Sequence, residues 1–235
     1  MFTDLEIMKI HVSALFTHNT ELRLLFVNEP DRATLFAPRL FLGRTRAGNV
    51  WRFRHDVPEK LCIELDALCA DEPFVTVEFN EPPRHLETYV RLLEADAPMR
   101  ESSNGPAYLF TESGAPSKSL LTVTENNAEV LQGGFEKLVE ELPAWQPFVA
   151  LVEENRAVSV CRSVRITTEA HEAGVETLPD FRGRGYAKEV TAEWARQVQA
   201  RGAVALYSTS WENFASQAVA RKLGFKCYGT DFSVT

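Results

Sequence analysis

Val175-Glu-Thr-Leu-Pro-Asp-Phe-Arg-Gly-Arg-Gly-Tyr-Ala-Lys188 is the stretch whose reading decides the fold. A β-prone run from Ala173 to Leu178 stops at Pro179, a loop with two glycines follows, and a long helical pattern begins at about Gly185. Strand, glycine-rich turn and helix in that order bring successive backbone N–H groups and the positive end of a helix dipole to one point. Such a point attracts phosphate oxygens. Gly183 and Gly185 permit a close approach to the backbone that a Cβ would obstruct. Arg182, Arg184 and Lys188 add positive charge to an otherwise acidic chain. A surface connection whose glycines only satisfy turn geometry fits the Gly-x-Gly at least as well. The loop has neither the Gly-Lys-Ser/Thr ending of a P-loop nor the third glycine of the dinucleotide fingerprint.

A second block lies downstream: Asn213, Ser216, then Lys222-Leu-Gly-Phe225. With it in place, Arg182-x-x-Gly185-x-Ala187 behind a strand and Pro179 resembles the acyl-CoA-binding motif of the GNAT acetyltransferases. The second block is similar to that family's Asn-x-x-Ala/Ser followed by Lys-Leu-Gly-Phe. The resemblance covers about residues 119 to 235. It implies an α/β fold of the α+β type, with a mixed, mainly antiparallel GNAT-like sheet flanked by helices and preceded by a smaller α/β domain. It also implies acetyl-CoA as cofactor, with CoA as product. The implied function is an acetyl-CoA-dependent N-acetyltransferase that moves an acetyl group directly to a primary amine of a small molecule or an amino terminus. A non-catalytic protein that binds CoA or acyl-CoA is the alternative.

Carried over by position, Glu176, Thr177 and Leu178 meet the pantetheine arm through main-chain atoms on a strand that splays from its neighbour. Arg182, Gly183, Arg184, Gly185, Tyr186 and Ala187 hold the pyrophosphate, and Asn213, with Ser216 on the same helix, reaches the coenzyme from the other side. Acyl transfer to an amine also needs a base and a proton for the leaving thiolate. The family often places its base at the start of the splayed strand; here that is His171, with Glu172 beside it and Glu176 further along. The ordinary histidine pKa of about 6.5 suits base work near neutrality. A surface turn histidine, and an outward, solvated Glu176, remain equally open. The helix position that is often Tyr in the family is Ala220, so Tyr207, Ser208 and Ser210 on the neighbouring strand stand as substitute proton donors.

The remaining sequence is organised around this half. Residues 113–118 (Ser-Gly-Ala-Pro-Ser-Lys) read as a linker between an N-terminal α/β accessory domain, 1–112, and the GNAT domain, 119–235. The first segment could be a degenerate GNAT-like half, although no internal repeat is legible. Helical spacing predicts helices near residues 3–16, after Pro58 and after Pro82-Pro83, and a hairpin over 40–53. The run Ser102-Ser-Asn-Gly-Pro106 predicts a turn before a short strand at 107–110. Residues 126–142 predict a helix interrupted at Gly133-Gly134.

Of the 235 residues, 45% are hydrophobic and 25% charged, which is enough apolar content for a core without staples. A formal net charge of −8 argues against a nucleic-acid partner. No apolar run approaches the roughly 20 residues of a membrane helix. The four cysteines (Cys62, Cys69, Cys161, Cys227) show no CxxC pairing and no clustered histidines, which argues against a zinc site and points to a reduced, cytoplasmic protein. A small-molecule amine is the expected partner, and a homodimer is left open.

Overall fold

A computed structural model of the chain describes residues 2–30, 34–111 and 119–235. Helix α1 (Asp4–Leu15) begins with a reciprocal cap. Thr3 Oγ1 accepts from the Glu6 N–H at 3.2 Å, and the Glu6 carboxylate accepts from the Thr3 N–H at 2.7 Å. A minor sheet of β1 (Phe16–His18) and β2 (Leu24–Val27) follows. The expected hairpin is β3 (Leu40–Thr45) and β4 (Gly48–Phe53). Helices α2 (Glu59–Asp71) and α3 (Leu86–Asp96) bury Leu61, Leu65, Cys69, Tyr89 and Leu93 together with Leu40, Leu42 and Phe53 of that hairpin. Then come β5 (Ser102–Leu109), β6 (Leu121–Thr122), β7 (Phe148–Glu153), β8 (Arg156–Ile166) and β9 (Ala170–Thr177). Helix α4 (Tyr186–Ala200), β10 (Val204–Ser208), α5 (Phe214–Lys222) and β11 (Lys226–Val234) complete the chain.

Among the described residues nine strands form one sheet in the order β4-β3-β11-β5-β10-β9-β8-β7-β6. Among them β9 and β10 pair in parallel, and every other neighbouring pair is antiparallel. The sheet is therefore mixed and mainly antiparallel, with helices on both faces, as the resemblance implies. Side chains alternate between the faces with the strand period of two. Ala170, Leu206 and Tyr228 pack under α1, while Cys161, Ala205 and Tyr207 pack under α4. Strands from both sides of residues 113–118 share this sheet, because β5 lies hydrogen-bonded between β10 and β11. The expected linker itself falls outside the described residues. Among the described residues no helix is long and apolar enough to cross a membrane.

Two local expectations are corrected. Residues 102–106 are the first half of β5, paired with β11 from Ser102↔Val234 to Pro106↔Thr230, not a turn. Pairing on a central strand overrides the turn-prone composition there. Gly105 is at home because the chains come close: a Cβ would stand 1.7 Å from the Thr209 carbonyl oxygen. Gly105→Ala is expected to destabilise the protein by about 2–3 kcal/mol through overpacking against main chain that cannot yield. A thermal melt should read this as a fall of about 5–10 °C; an unchanged midpoint would contradict the close approach.

The second correction concerns 126–142, which forms two short 3-10 turns, Glu125–Leu131 and Glu136–Leu138, instead of an α-helix. Asn127 Oδ1 accepts from the Thr124 N–H at 2.7 Å, and Asn127 itself leaves the helical region with φ −138°. Such a side-chain bond competes with helix continuation. Further on, the Glu136 carboxylate takes the Gly133 and Gly134 N–H groups at 2.6 and 3.1 Å. Leu131, Phe135, Leu138, Leu142 and Trp145 nonetheless stay buried over Phe148, Ala157 and Val160.

Candidate functional site

β9 and β10 are paired only at Ala170↔Val204, His171↔Ala205 and Glu172↔Leu206. Beyond that point β10 continues along β5 to Ser208↔Ala107, while β9 continues along β8 to Thr177↔Ser159. The two strands therefore part at Glu172, and among the described residues no strand pairs with residues 173–177 on the inner edge of β9. A cleft of about 740 Å³ opens in the gap. One wall is β9 and the loop into α4; the other is Tyr207 with the start of α5; Gly134, Phe135 and Lys137 close the near side.

The loop after β9 turns through a 3-10 turn at Pro179–Phe181 and then through Gly183 (φ +76°) and Gly185 (φ +83°). Both glycines hold left-handed conformations that L side chains disfavour, and a Cβ at either would meet nothing within 4 Å. The space above them is open. Gly185 is the N-cap residue of α4, so the N–H groups of that helix's first turn lack carbonyl partners within the helix and face the loop end of the cleft. Lys137, Arg182, Lys188 and Lys222 add cationic side chains to the lining. Backbone donors, a helix dipole and these cations make the end of the cleft fit for a phosphate-bearing arm.

Of the expected coenzyme set, Glu176, Thr177, Leu178, Arg182, Gly183, Gly185, Tyr186, Ala187, Asn213 and Ser216 all line this one cleft. Arg184 turns away: its guanidinium lies 4.9 Å from the Phe181 ring centroid and donates to the Asp180 carbonyl at 3.0 Å. Asn213 caps α5 by accepting the Ser216 N–H at 3.0 Å, which leaves its amide nitrogen as the donor.

The three expected catalytic groups have different surroundings. Tyr207 lines the cleft, and its hydroxyl sits 2.5 Å from Ser216 Oγ. Burial pushes the phenol up to about 12, so it holds its proton at neutral pH. Glu176 also lines the cleft, but its carboxylate is engaged by Arg162 at 2.9 Å and Lys137 at 3.6 Å. Neither His171 nor its neighbour Glu172 is a lining residue. His171 is buried on the α4 face with Nδ1 2.8 Å from Ser163 Oγ, and burial, followed by Arg201, pushes it down to about 4.

Its neighbour Glu172 points to the opposite face and sits where the strands separate. Glu172 Oε1 accepts the Ser208 N–H at 2.6 Å and the Ser208 hydroxyl at 2.7 Å. The carboxylate thus satisfies a main-chain N–H beyond the last β9–β10 pair. Its other oxygen, Oε2, is buried without a hydrogen-bond partner among the described residues. Burial raises this carboxyl above the ordinary value, against the opposing pull of the Ser208 hydroxyl and Arg165. Asp231 on β11 is pushed up to about 7 by burial and then by the charge of Glu172. The sequence signal for Glu172 was only its adjacency to His171; which of two consecutive residues faces α1 depends on packing that no local pattern encodes.

Residues 147–230 match the family model described as GNAT acetyltransferase. That segment runs from the start of β7 into β11 and contains all of the cleft lining except Gly134, Phe135 and Lys137. Residues 147–230 are thus similar to GNAT acetyltransferases. No curated protein matches the sequence. Among solved structures, a GNAT-family acetyltransferase of Colwellia psychrerythraea is 15% identical, covering 99% of this chain and 96% of that one at a TM-score of 0.48. A GCN5-related N-acetyltransferase-like protein of Streptococcus suis is 17% identical over 85% of each chain, with a TM-score of 0.48. A protein of the GNAT family from Novosphingobium aromaticivorans is 15% identical over 58% of this chain, at a TM-score of 0.45. This chain spans 65% of the length of that protein, just under two thirds.

Proposed function

We propose, from the GNAT acetyltransferase segment at residues 147–230, that the chain is an acetyl-CoA-dependent N-acetyltransferase acting on a primary amine of a small molecule or an amino terminus. The observation that carries this reading is the parting of β9 from β10 at Glu172 beside a loop with two left-handed glycines. When bound, acetyl-CoA supplies the acyl group as a thioester. The free edge of β9 at 173–177 holds its arm through main-chain groups, and the α4 end of the cleft holds its phosphates.

Glu172, buried behind the cleft wall where the strands part and not itself a lining residue, is the carboxylate that takes up the proton the amine loses before its lone pair becomes available. A carboxyl whose pKa is raised by burial is a stronger base for that step than an ordinary one. Tyr207, protonated and at the cleft wall, donates from its hydroxyl to the departing sulfur. It thereby takes the place of the tyrosine that Ala220 lacks; Ala220 is fully buried, so no cleft group is available from that position. The net charge of −8 favours cationic acceptors by long-range attraction. Four free cysteines, three of them buried, support a reduced cytoplasmic setting.

The test is release of free thiol from acetyl-CoA in the presence of a panel of amines. Turnover above the amine-free rate with at least one amine supports transfer. Coenzyme binding with no release for any amine would favour the non-catalytic binding protein instead. Tyr207→Phe is expected to lower kcat by about 10–100-fold while leaving KM for acetyl-CoA within about twofold, since the ring that packs the wall is kept. A kcat equal to wild type would remove Tyr207 from the acid role.

A further inference from the structure

The unpartnered oxygen of Glu172 does not face an empty core. Helix α1 lies across this face of the sheet and brings His11 Nε2 to 3.6 Å from Glu172 Oε2. Both side chains are buried, with 0% and 2% of their surface exposed. On its other side His11 Nδ1 sits 2.7 Å from the hydroxyl of Tyr228, from β11. Four groups from four elements therefore lie in one row, Ser208 of β10, Glu172 of β9, His11 of α1 and Tyr228 of β11, joined by hydrogen bonds at its two ends and by a 3.6 Å approach, longer than a hydrogen bond, between His11 Nε2 and Glu172 Oε2. Nothing local in the sequence links them, since His11 and Tyr228 are 217 residues apart.

The direction of the row follows from its far end. Tyr228 is fully buried, and His11 Nδ1 is the partner its hydroxyl has among the described residues. A buried phenol keeps its proton and must spend it on an acceptor. It donates to Nδ1, so Nδ1 carries no hydrogen. A neutral imidazole then carries its single hydrogen on Nε2, the nitrogen that faces Glu172. Burial, with Arg165 nearby, keeps His11 neutral, pushed down to about 3.

We propose that His11, locked in its Nε2–H tautomer by Tyr228, is a positioning residue that orients Glu172 and stabilises its ionised form for proton transfer. The inference rests on the reading of Glu172 as the base. His11 touches no reacting atom; it acts through the carboxylate, as Ser208 does from the opposite oxygen. The charged and titratable groups that interact with Glu172 are Arg165 from β8, His11 from α1, Tyr207 from β10, and Asp231 and Tyr228 from β11. Arg165 is itself paired with Glu29 at 2.5 Å, and the His11 N–H stands 3.6 Å from Oε2 as a neutral donor.

The experiment measures kcat against pH, and KM for acetyl-CoA, with the best amine of the panel, for wild type, His11→Phe, His11→Gln, Tyr228→Phe and Glu172→Gln. With the donor gone, His11→Phe should move the acidic limb of the kcat profile to higher pH. Each pH unit of that move lowers kcat about tenfold on the limb. KM for acetyl-CoA should stay within about twofold. His11→Gln, whose amide can reach the same place, should restore most of the loss, and Tyr228→Phe should move the limb in the same direction by less. If Glu172→Gln is inactive while folded His11→Phe and Tyr228→Phe keep the wild-type limb, the positioning role is overturned and the base reading stands. If Glu172→Gln keeps wild-type kcat, the base reading falls and the inference with it. Nitrogen-15 NMR of the wild-type imidazole provides a second measurement that does not depend on how the variants fold. Protonated Nε2 with bare Nδ1 supports the proposal, and the opposite tautomer overturns it.

Discussion

Gly185→Val is expected to abolish coenzyme binding while leaving the protein folded. Gly185 has φ +83° at the N-cap of α4, and a Cβ placed there meets no protein atom within 4 Å. The substitution therefore has two separable effects. One is backbone strain, about 1–2 kcal/mol for an L residue held in the left-handed region. The other is steric and falls on the ligand: a valine side chain would stand in the open space over the amides that receive the phosphates. Losing that contact should weaken CoA at least about 100-fold, or about 2.7 kcal/mol. Gly202 provides the control. It has φ +80° at the opposite end of α4, also with nothing within 4 Å of a Cβ, and does not line the cleft. Gly202→Val should show the strain alone, as a lower melting temperature with wild-type CoA affinity by calorimetry. If folded Gly185→Val binds CoA as wild type does, the loop is not the phosphate site.

That site was legible because its parts are local. A strand, a proline, two glycines and a helix start within fourteen residues can be read from periodicity and turn chemistry, and the Asn213–Phe225 block is just as compact. What was not legible depends on distant pairing. Residues 102–106 look like a turn on their own and become strand because β11 pairs with them from Ser102↔Val234 to Pro106↔Thr230. Residues 126–142 have helical apolar spacing, yet Asn127 and Glu136 use their side chains to satisfy nearby N–H groups and the helix does not propagate. The same limit applies at the catalytic position. His171 and Glu172 differ by one step along β9, and one step exchanges the α4 face for the α1 face. Only the placement of α1, fixed by Met8, Val12 and Leu15 against the sheet, shows that Glu172 has His11 and Ser208 as neighbours while His171 has Ser163 and Trp194.

Glu172→Gln follows from that placement and should have the larger kinetic effect. Glutamine keeps an oxygen that can accept both Ser208 donors, so the point where β9 and β10 part is preserved; what disappears is the capacity to take a proton. Removing a general base in this way should reduce kcat by about 10²–10⁴-fold, with KM for acetyl-CoA changed little because the cleft walls are intact. The pH dependence has a definite sign. A base works ionised, and burial raises the Glu172 carboxyl above its ordinary value, so wild-type kcat should climb with pH through an acidic limb lying above the usual carboxylate range. Asp231, near 7 and electrostatically joined to Glu172, means that the limb reports the pair and not one side chain. His171→Gln should separate the two neighbours: a neutral imidazole near 4 carries no charge to lose at pH 7, so this variant should lower stability through its Ser163 contact and leave the acidic limb in place. A limb that vanishes in His171→Gln and persists in Glu172→Gln would transfer the role of base from the α1 face of β9 to the α4 face.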